Sequence, residues 1–158
     1  MCPTTFKEGL QDFLQEVQKK YETHVITNSS TDHVAKELQK VGFPEERVIG
    51  NARKFVIDQE WNQMHEAVKI PGFPRPVMLR RKDYWNVLQK LGTSHRGTTV
   101  LGDIYEMDLA LPDYLGMRII KMSNSPELIH EDNYLKENPR GAVVTDLEEA
   151  RNILFKLF

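Results

Sequence analysis

The stretch Gly102-Asp103-Ile104-Tyr105-Glu106-Met107-Asp108 sets two aspartates just beyond Thr98-Thr99-Val100-Leu101, a β-branched and apolar run that reads as a buried strand. Gly102 permits a sharp turn, so Asp103 would project from the strand's carboxyl end, with Asp108 a helical turn beyond. Open α/β sheets bind ligands at such ends, and paired carboxylate oxygens suit a hard divalent cation. The same residues have a plainer use, because Gly-Asp is a common turn dipeptide and Asp a common helix cap. A second junction, His24-Val25-Ile26-Thr27-Asn28-Ser29-Ser30, runs from an apolar segment into hydroxyl and amide side chains immediately before a helix. Hydroxyls and backbone N–H groups in that position suit a phosphate, although Ser29, Ser30 or Thr31 would equally serve to cap the helix. Between the two junctions lies Arg80-Arg81-Lys82. A run of three cations is most often a solvated face, so one of them is expected to point inward, and the spacing before Tyr84 and Leu88 selects Arg81, with Arg80 as the other choice.

The elements that must position these residues alternate. Leu10, Phe13, Leu14 and Val17 recur at helical spacing and predict a helix near Thr5 to Tyr21. A strand at His24 to Thr27 and a helix from about Ser30 to Val41 follow, the helix ending at Gly42. A short strand around Arg47 to Ile49 and a second apolar piece, Phe55-Val56-Ile57, come next. Trp61 to Pro76 reads as an irregular surface excursion broken by Pro71, Gly72, Pro74 and Pro76. Val77-Met78-Leu79 reads as a strand delivering Arg80 and Arg81, and Tyr84, Val87, Leu88 and Leu91 give the next helix its buried face. After the acidic loop, a helix through Tyr114 leads to a strand at Met117 to Met122. Ser123 to Pro139 reads as polar loop, Ala142 to Thr145 as a last edge strand, and Leu147 to Phe158 as a closing amphipathic helix. Strands alternating with helices imply an α/β fold with a parallel sheet.

The order of hydroxyl, cation and acids resembles the haloacid dehalogenase superfamily, whose members are mostly magnesium-dependent phosphohydrolases with four short motifs. Val25-Ile26-Thr27-Asn28-Ser29 is similar to the second motif, Arg80 or Arg81 occupies the place of the third motif's basic residue, where family members usually carry Lys, and Gly102-Asp103 through Asp108 is similar to the fourth. Lys54 is a weaker competitor for the third motif, its distance from Asp103 being too long for the family's usual spacing. The resemblance implies a three-layer α/β/α, Rossmann-like domain over residues 1–158 with a mainly parallel sheet. It further implies that Asp103 and Asp108 hold Mg²⁺, that Thr27 and Asn28 bind a phosphoryl group, and that Arg81 or Arg80 offsets its charge. The family's first motif, Asp-x-Asp, carries the nucleophile and the general acid, and the sequence contains no Asp-x-Asp. The helix near Thr5 resembles the one that precedes the family's second strand. The expectation is therefore a domain incomplete at its amino terminus, its central first strand missing or replaced, with an upstream segment or a second chain completing the sheet. The complete protein would hydrolyse a small phosphorylated substrate. The alternative is a non-catalytic domain of the same fold that binds a partner or an anion.

Composition sets the outer bounds. With 40% hydrophobic and 28% charged residues the balance is that of an ordinary globular chain. A formal net charge of -2 gives no electrostatic footprint for nucleic acid, and no apolar run approaches the roughly 20 residues that span a bilayer. The single cysteine, Cys2, makes no internal disulfide, and there is no hydrophobic secretory segment, so the cytoplasm is the expected compartment. His24, His33, His65, His95 and His130 lack metal-ligand spacing. Trp61 and Trp85 are expected to pack.

Overall fold

The computed structural model describes residues 9–92, 95–123 and 125–156. In chain order the elements are α1 (Leu10–Lys20), β1 (Val25–Ile26), α2 (Thr31–Gln39), β2 (Val48–Ile49), β3 (Ala67–Val68), β4 (Val77–Met78), α3 (Lys82–Lys90), β5 (Thr99–Gly102), α4 (Ala110–Tyr114), β6 (Arg118–Met122), α5 (Ile129–Glu137), β7 (Gly141–Val144) and α6 (Leu147–Lys156). The protein is mixed α/β. It divides into two compact units, Met1–Arg53 with Asp146–Phe158, and Lys54–Thr145.

In the first unit β1 and β2 pair in parallel, Val25 opposite Val48 and Ile26 opposite Ile49. The pairing continues past the strands, since Thr27 N–H donates to Ile49 O at 2.9 Å. The helix α2 starts where Ser30 Oγ accepts from His33 N–H, a normal serine cap, and it buries Ala35 and Leu38. Gly50 has no room for a side chain, because a Cβ there would lie 2.2 Å from Thr31 N. That close approach lets Thr31 Oγ1 accept from Gly50 N–H at 3.0 Å, fastening the end of β2 to the start of α2. The amphipathic helices α1 and α6 pack through Phe13, Leu14, Val17, Leu147, Ala150 and Leu154, all buried, with Tyr21 Oη donating to Leu154 O at 2.8 Å. The expected helix near Thr5 begins outside the described residues over its first turn, as do Cys2 and the end of the expected closing helix at Phe158.

In the second unit β5, β6 and β7 form a parallel sheet in that order. The central strand β6 is covered on both faces, with Ile119, Ile120, Lys121 and Met122 all buried, which is why it reads as an almost continuous apolar run. The crossovers are α4 between β5 and β6 and α5 between β6 and β7. Trp61 packs on Trp85 with ring centroids 5.3 Å apart.

Two expectations are corrected here. Val77–Leu79 does not join the parallel sheet: Val77 and Met78 pair antiparallel with Val68 and Ala67 inside the proline-rich excursion. The second apolar piece, Phe55-Val56-Ile57, lies outside the strands, with Phe55 and Ile57 exposed. Within the expected loop from Ser123 to Pro139 lies α5, whose buried face is mostly ionic, Glu131 and Asp132 beside Leu135. A search for apolar periodicity passes over such a helix. Among the described residues no helix is long and apolar enough to cross a membrane.

Candidate functional site

The strand β5 ends at Gly102, and the chain turns through Asp103 and Ile104 into a π-helical turn, Tyr105–Leu109, that runs on into α4. Single π-turns inside helices occur often at functional sites. Asp103 is exposed at this carboxyl end, while Asp108 is buried and folds back over Gly102. Asp108 Oδ2 accepts from the N–H groups of Asp103 and Ile104 at 3.3 and 3.2 Å, and its Oδ1 meets Lys54 Nζ at 2.5 Å. Burial alone would push the Asp108 carboxyl up, but the Lys54 ammonium and the hydrogen bonds outweigh it and hold the group below the usual carboxylate range. The geometry thus makes Asp108 the residue that closes the turn, with both oxygens engaged, rather than a carboxylate aimed at a ligand. Gly102 is obligatory for this fold-back, since a Cβ there would lie 2.6 Å from Asp108 Cβ. Gly102→Ala should therefore lower stability by about 1 to 3 kcal/mol, the usual cost of overpacking a fixed site. A urea midpoint equal to the parent's would mean that Asp108 is free to move aside.

Lys54 lies 5.8 Å above the Tyr84 ring, and Tyr84 Oη donates to Asp108 O at 2.6 Å. Burial, with the nearby Asp108 charge second, pushes the Tyr84 phenol well up. The cation beside the acidic turn is thus Lys54, which the sequence spacing ranked below Arg81. Arg81 does point inward and is buried, but its guanidinium is spent on backbone: Nε donates to Met78 O at 3.2 Å and Nη1 to Lys54 O at 2.8 Å. Its nearest carboxylate oxygen in an ion pair is Glu106 Oε1 at 3.9 Å. Arg81 holds Lys54 in place instead of facing the site. Arg80 braces the excursion, donating to Met64 O and Gln59 O at 3.0 and 2.7 Å. Lys82 is exposed.

Thr27 and Asn28 belong to the first unit, apart in the chain's division from Asp103, Asp108 and Arg81. Thr27 Oγ1 accepts from Ser29 N–H at 3.1 Å, a side-chain turn, and the loop is stitched to the segment after β2 by Asn51 N–H to Ser29 O at 2.7 Å and Ala52 N–H to Thr27 O at 3.0 Å. Asn51 and Arg53 take left-handed backbone angles, φ 53 and 50. Arg53 immediately precedes Lys54, and left-handed non-glycine residues concentrate at functional sites.

A second buried charged cluster was not anticipated. Lys121 on β6 is fully buried, with Nζ 2.6 Å from Asp132 Oδ1 and 3.7 Å from Glu131 Oε1. Ser123 Oγ donates to Asp132 Oδ2 at 2.6 Å. The sequence carried a signal for it: a lysine inside an apolar strand requires a buried carboxylate. Among the described residues no group of three or more His, Cys, Asp or Glu side chains is placed to hold a metal ion. With Asp108 committed to Lys54 and two amides, Asp103 is the one aspartate that this turn exposes, and the described residues alone do not fit Mg²⁺.

No protein-family model matches the chain, and no curated protein matches it.

Proposed function

We propose that the chain is the carboxyl-terminal part of a haloacid-dehalogenase-like domain and that the complete protein is a Mg²⁺-dependent phosphohydrolase acting on a small phosphorylated substrate. The observation that carries this reading is Asp103, exposed at the carboxyl end of the parallel strand β5, on a turn locked by Asp108 with Lys54 alongside. Lys54 takes the part expected of Arg81 from the resemblance, and as a lysine it matches the residue usual in the family. Strand pairing supports the reading too. Among the described residues β1 pairs with β2 alone and β5 with β6 alone, so each has a side open to a further strand, and β5 lacks the charged side chains or proline that normally protect an edge. An upstream segment that adds a strand and carries the nucleophile would occupy such an edge.

In this mechanism one carboxylate of that segment attacks phosphorus, forming an O–P bond as the ester's own P–O bond breaks, and the alcohol departs with a proton given by the second aspartate of the same motif. Water then cleaves the phosphoaspartate and releases phosphate. Phosphoryl transfer depends mainly on positioning and charge. This chain's share is the Lys54 ammonium, beside the turn that carries Asp103, against developing negative charge. Mg²⁺, when bound in the complete protein, would neutralise phosphoryl charge, with Asp103 the ligand from this chain.

The purified 158-residue chain should turn over no aryl phosphate, because it lacks Asp-x-Asp, whereas a form extended upstream through that motif should do so with Mg²⁺ and stop on chelation. Robust turnover by the 158-residue chain that survives every single Asp substitution would place the chemistry elsewhere. An extended form that stays inactive would put the non-catalytic binding domain in front.

A further inference from the structure

The first amides of a helical turn are donors that the turn itself leaves unsatisfied. Here four consecutive ones are taken up by two carboxylates. Asp108 accepts from Asp103 and Ile104, and Glu131 accepts from Tyr105 N–H at 2.9 Å and Glu106 N–H at 3.3 Å. A lysine stands against each: Lys54 meets Asp108, and Lys121 lies between Glu131 and Asp132. Glu131 is 2% exposed and Lys121 0%, so neither charge is solvated. A buried ion pair contributes little net stability compared with apolar side chains of the same volume, so the packing of α5 on β6 does not by itself account for these residues. Their distinguishing feature is where Glu131 reaches, the backbone just beyond Asp103. The side chain of Tyr105 is tied down as well, its Oη donating to Asp113 Oδ2 at 2.7 Å.

Resting on the role proposed above for Asp103, we infer that Glu131, backed by Lys121, is a positioning residue that fixes the backbone at Tyr105 and Glu106 and so sets the direction in which Asp103 leaves β5. Asp108 holds the near half of the turn and Glu131 the far half. With both in place Asp103 leaves β5 from a rigid base, as a group that must meet a reacting centre in a fixed geometry requires.

Glu131→Gln in the 158-residue chain keeps the side chain's shape but exchanges one acceptor oxygen for a donor. Amide hydrogen exchange, read residue by residue by NMR, should accelerate about 10- to 100-fold at Tyr105 and Glu106, while Ile119 to Met122 of β6 keep their protection. Should that variant fail to fold, Glu131→Asp, one methylene shorter, should give the same local loss. Unchanged protection at both amides, or protection lost throughout β6 and β7 alike, would overturn the inference. In the active extended form Glu131→Gln should lower kcat about 10- to 100-fold, as loss of an orienting partner does, with KM for an aryl phosphate unchanged. A normal kcat there would sever Glu131 from Asp103. If the unsubstituted extended form is itself inactive, the phosphatase reading fails, and the exchange rates alone decide whether Glu131 fixes the turn.

Discussion

Lys54→Met should cost the protein about 3 to 5 kcal/mol of stability at neutral pH, the usual penalty for removing one partner of a buried ion pair. The Lys54 and Asp108 side chains are 13% and 10% exposed, so water cannot replace the missing ammonium. The pH dependence separates this cause from simple loss of packing. In the parent the Asp108 carboxyl is held below the usual carboxylate range. Its contribution is therefore complete above about pH 4, the ordinary carboxylate value, and lost as pH falls through the lower folded-state value. In Lys54→Met the burial that pushes Asp108 up is no longer opposed by the ammonium. The gap in unfolding free energy between parent and variant should be widest at neutral pH, begin to close as pH falls through the variant's raised Asp108 value, and go on closing below about pH 4 as the parent's carboxyl is protonated. Urea unfolding at a series of pH values gives the answer, and a gap that stays constant across that series would reduce Lys54 to a packing role.

In the active extended form, Asp103→Asn should abolish turnover without unfolding the protein. The loss should exceed the roughly 10- to 100-fold that removing an outer partner of a metal costs, because here a ligand's charge itself is removed. Stability should change little, since Asp103 is exposed and its backbone N–H, which donates to Asp108, survives the substitution. Lys82→Ala, an exposed substitution on the neighbouring cationic run, should leave both rate and stability near the parent's. A Mg²⁺ titration of activity reads all three proteins together. An Asp103→Asn enzyme with the parent's rate and metal requirement would remove the main support for the phosphohydrolase reading.

The local elements were legible where apolar residues dominate the buried face. The strand expected from Thr98 to Leu101 is Thr99–Gly102, that from Met117 to Met122 is Arg118–Met122, and the helix opened by Tyr84 is Lys82–Lys90. Legibility failed where burial is ionic or where distance along the chain was taken for distance in space. On α5 the residues facing inward include Glu131 and Asp132, which make sense only once Lys121 is seen opposite. Lys54 was ranked low because many residues separate it from Asp103. Those residues double back through the β3–β4 ladder, and Arg81 returns to grip the Lys54 carbonyl, so the separation in sequence is looped out. Asp103, by contrast, stands where the turn after β5 was expected to carry it. A residue presented by the end of a regular strand can be placed by pattern alone, whereas its neighbours across the turn depend on long-range packing that one-dimensional periodicity does not encode.

The saturated amides of the turn have an electrical consequence. A bare helix start attracts anions through its N–H groups, but here the N–H groups from Asp103 to Glu106 already face carboxylates. The segment also carries Asp103, Glu106 and Asp108. Of these carboxylates Asp108 faces Lys54 and Glu106 faces Arg75, so the exposed charge of the turn is that of Asp103. With those four N–H groups engaged, the turn lacks the attraction that an ordinary helix start has for an anion.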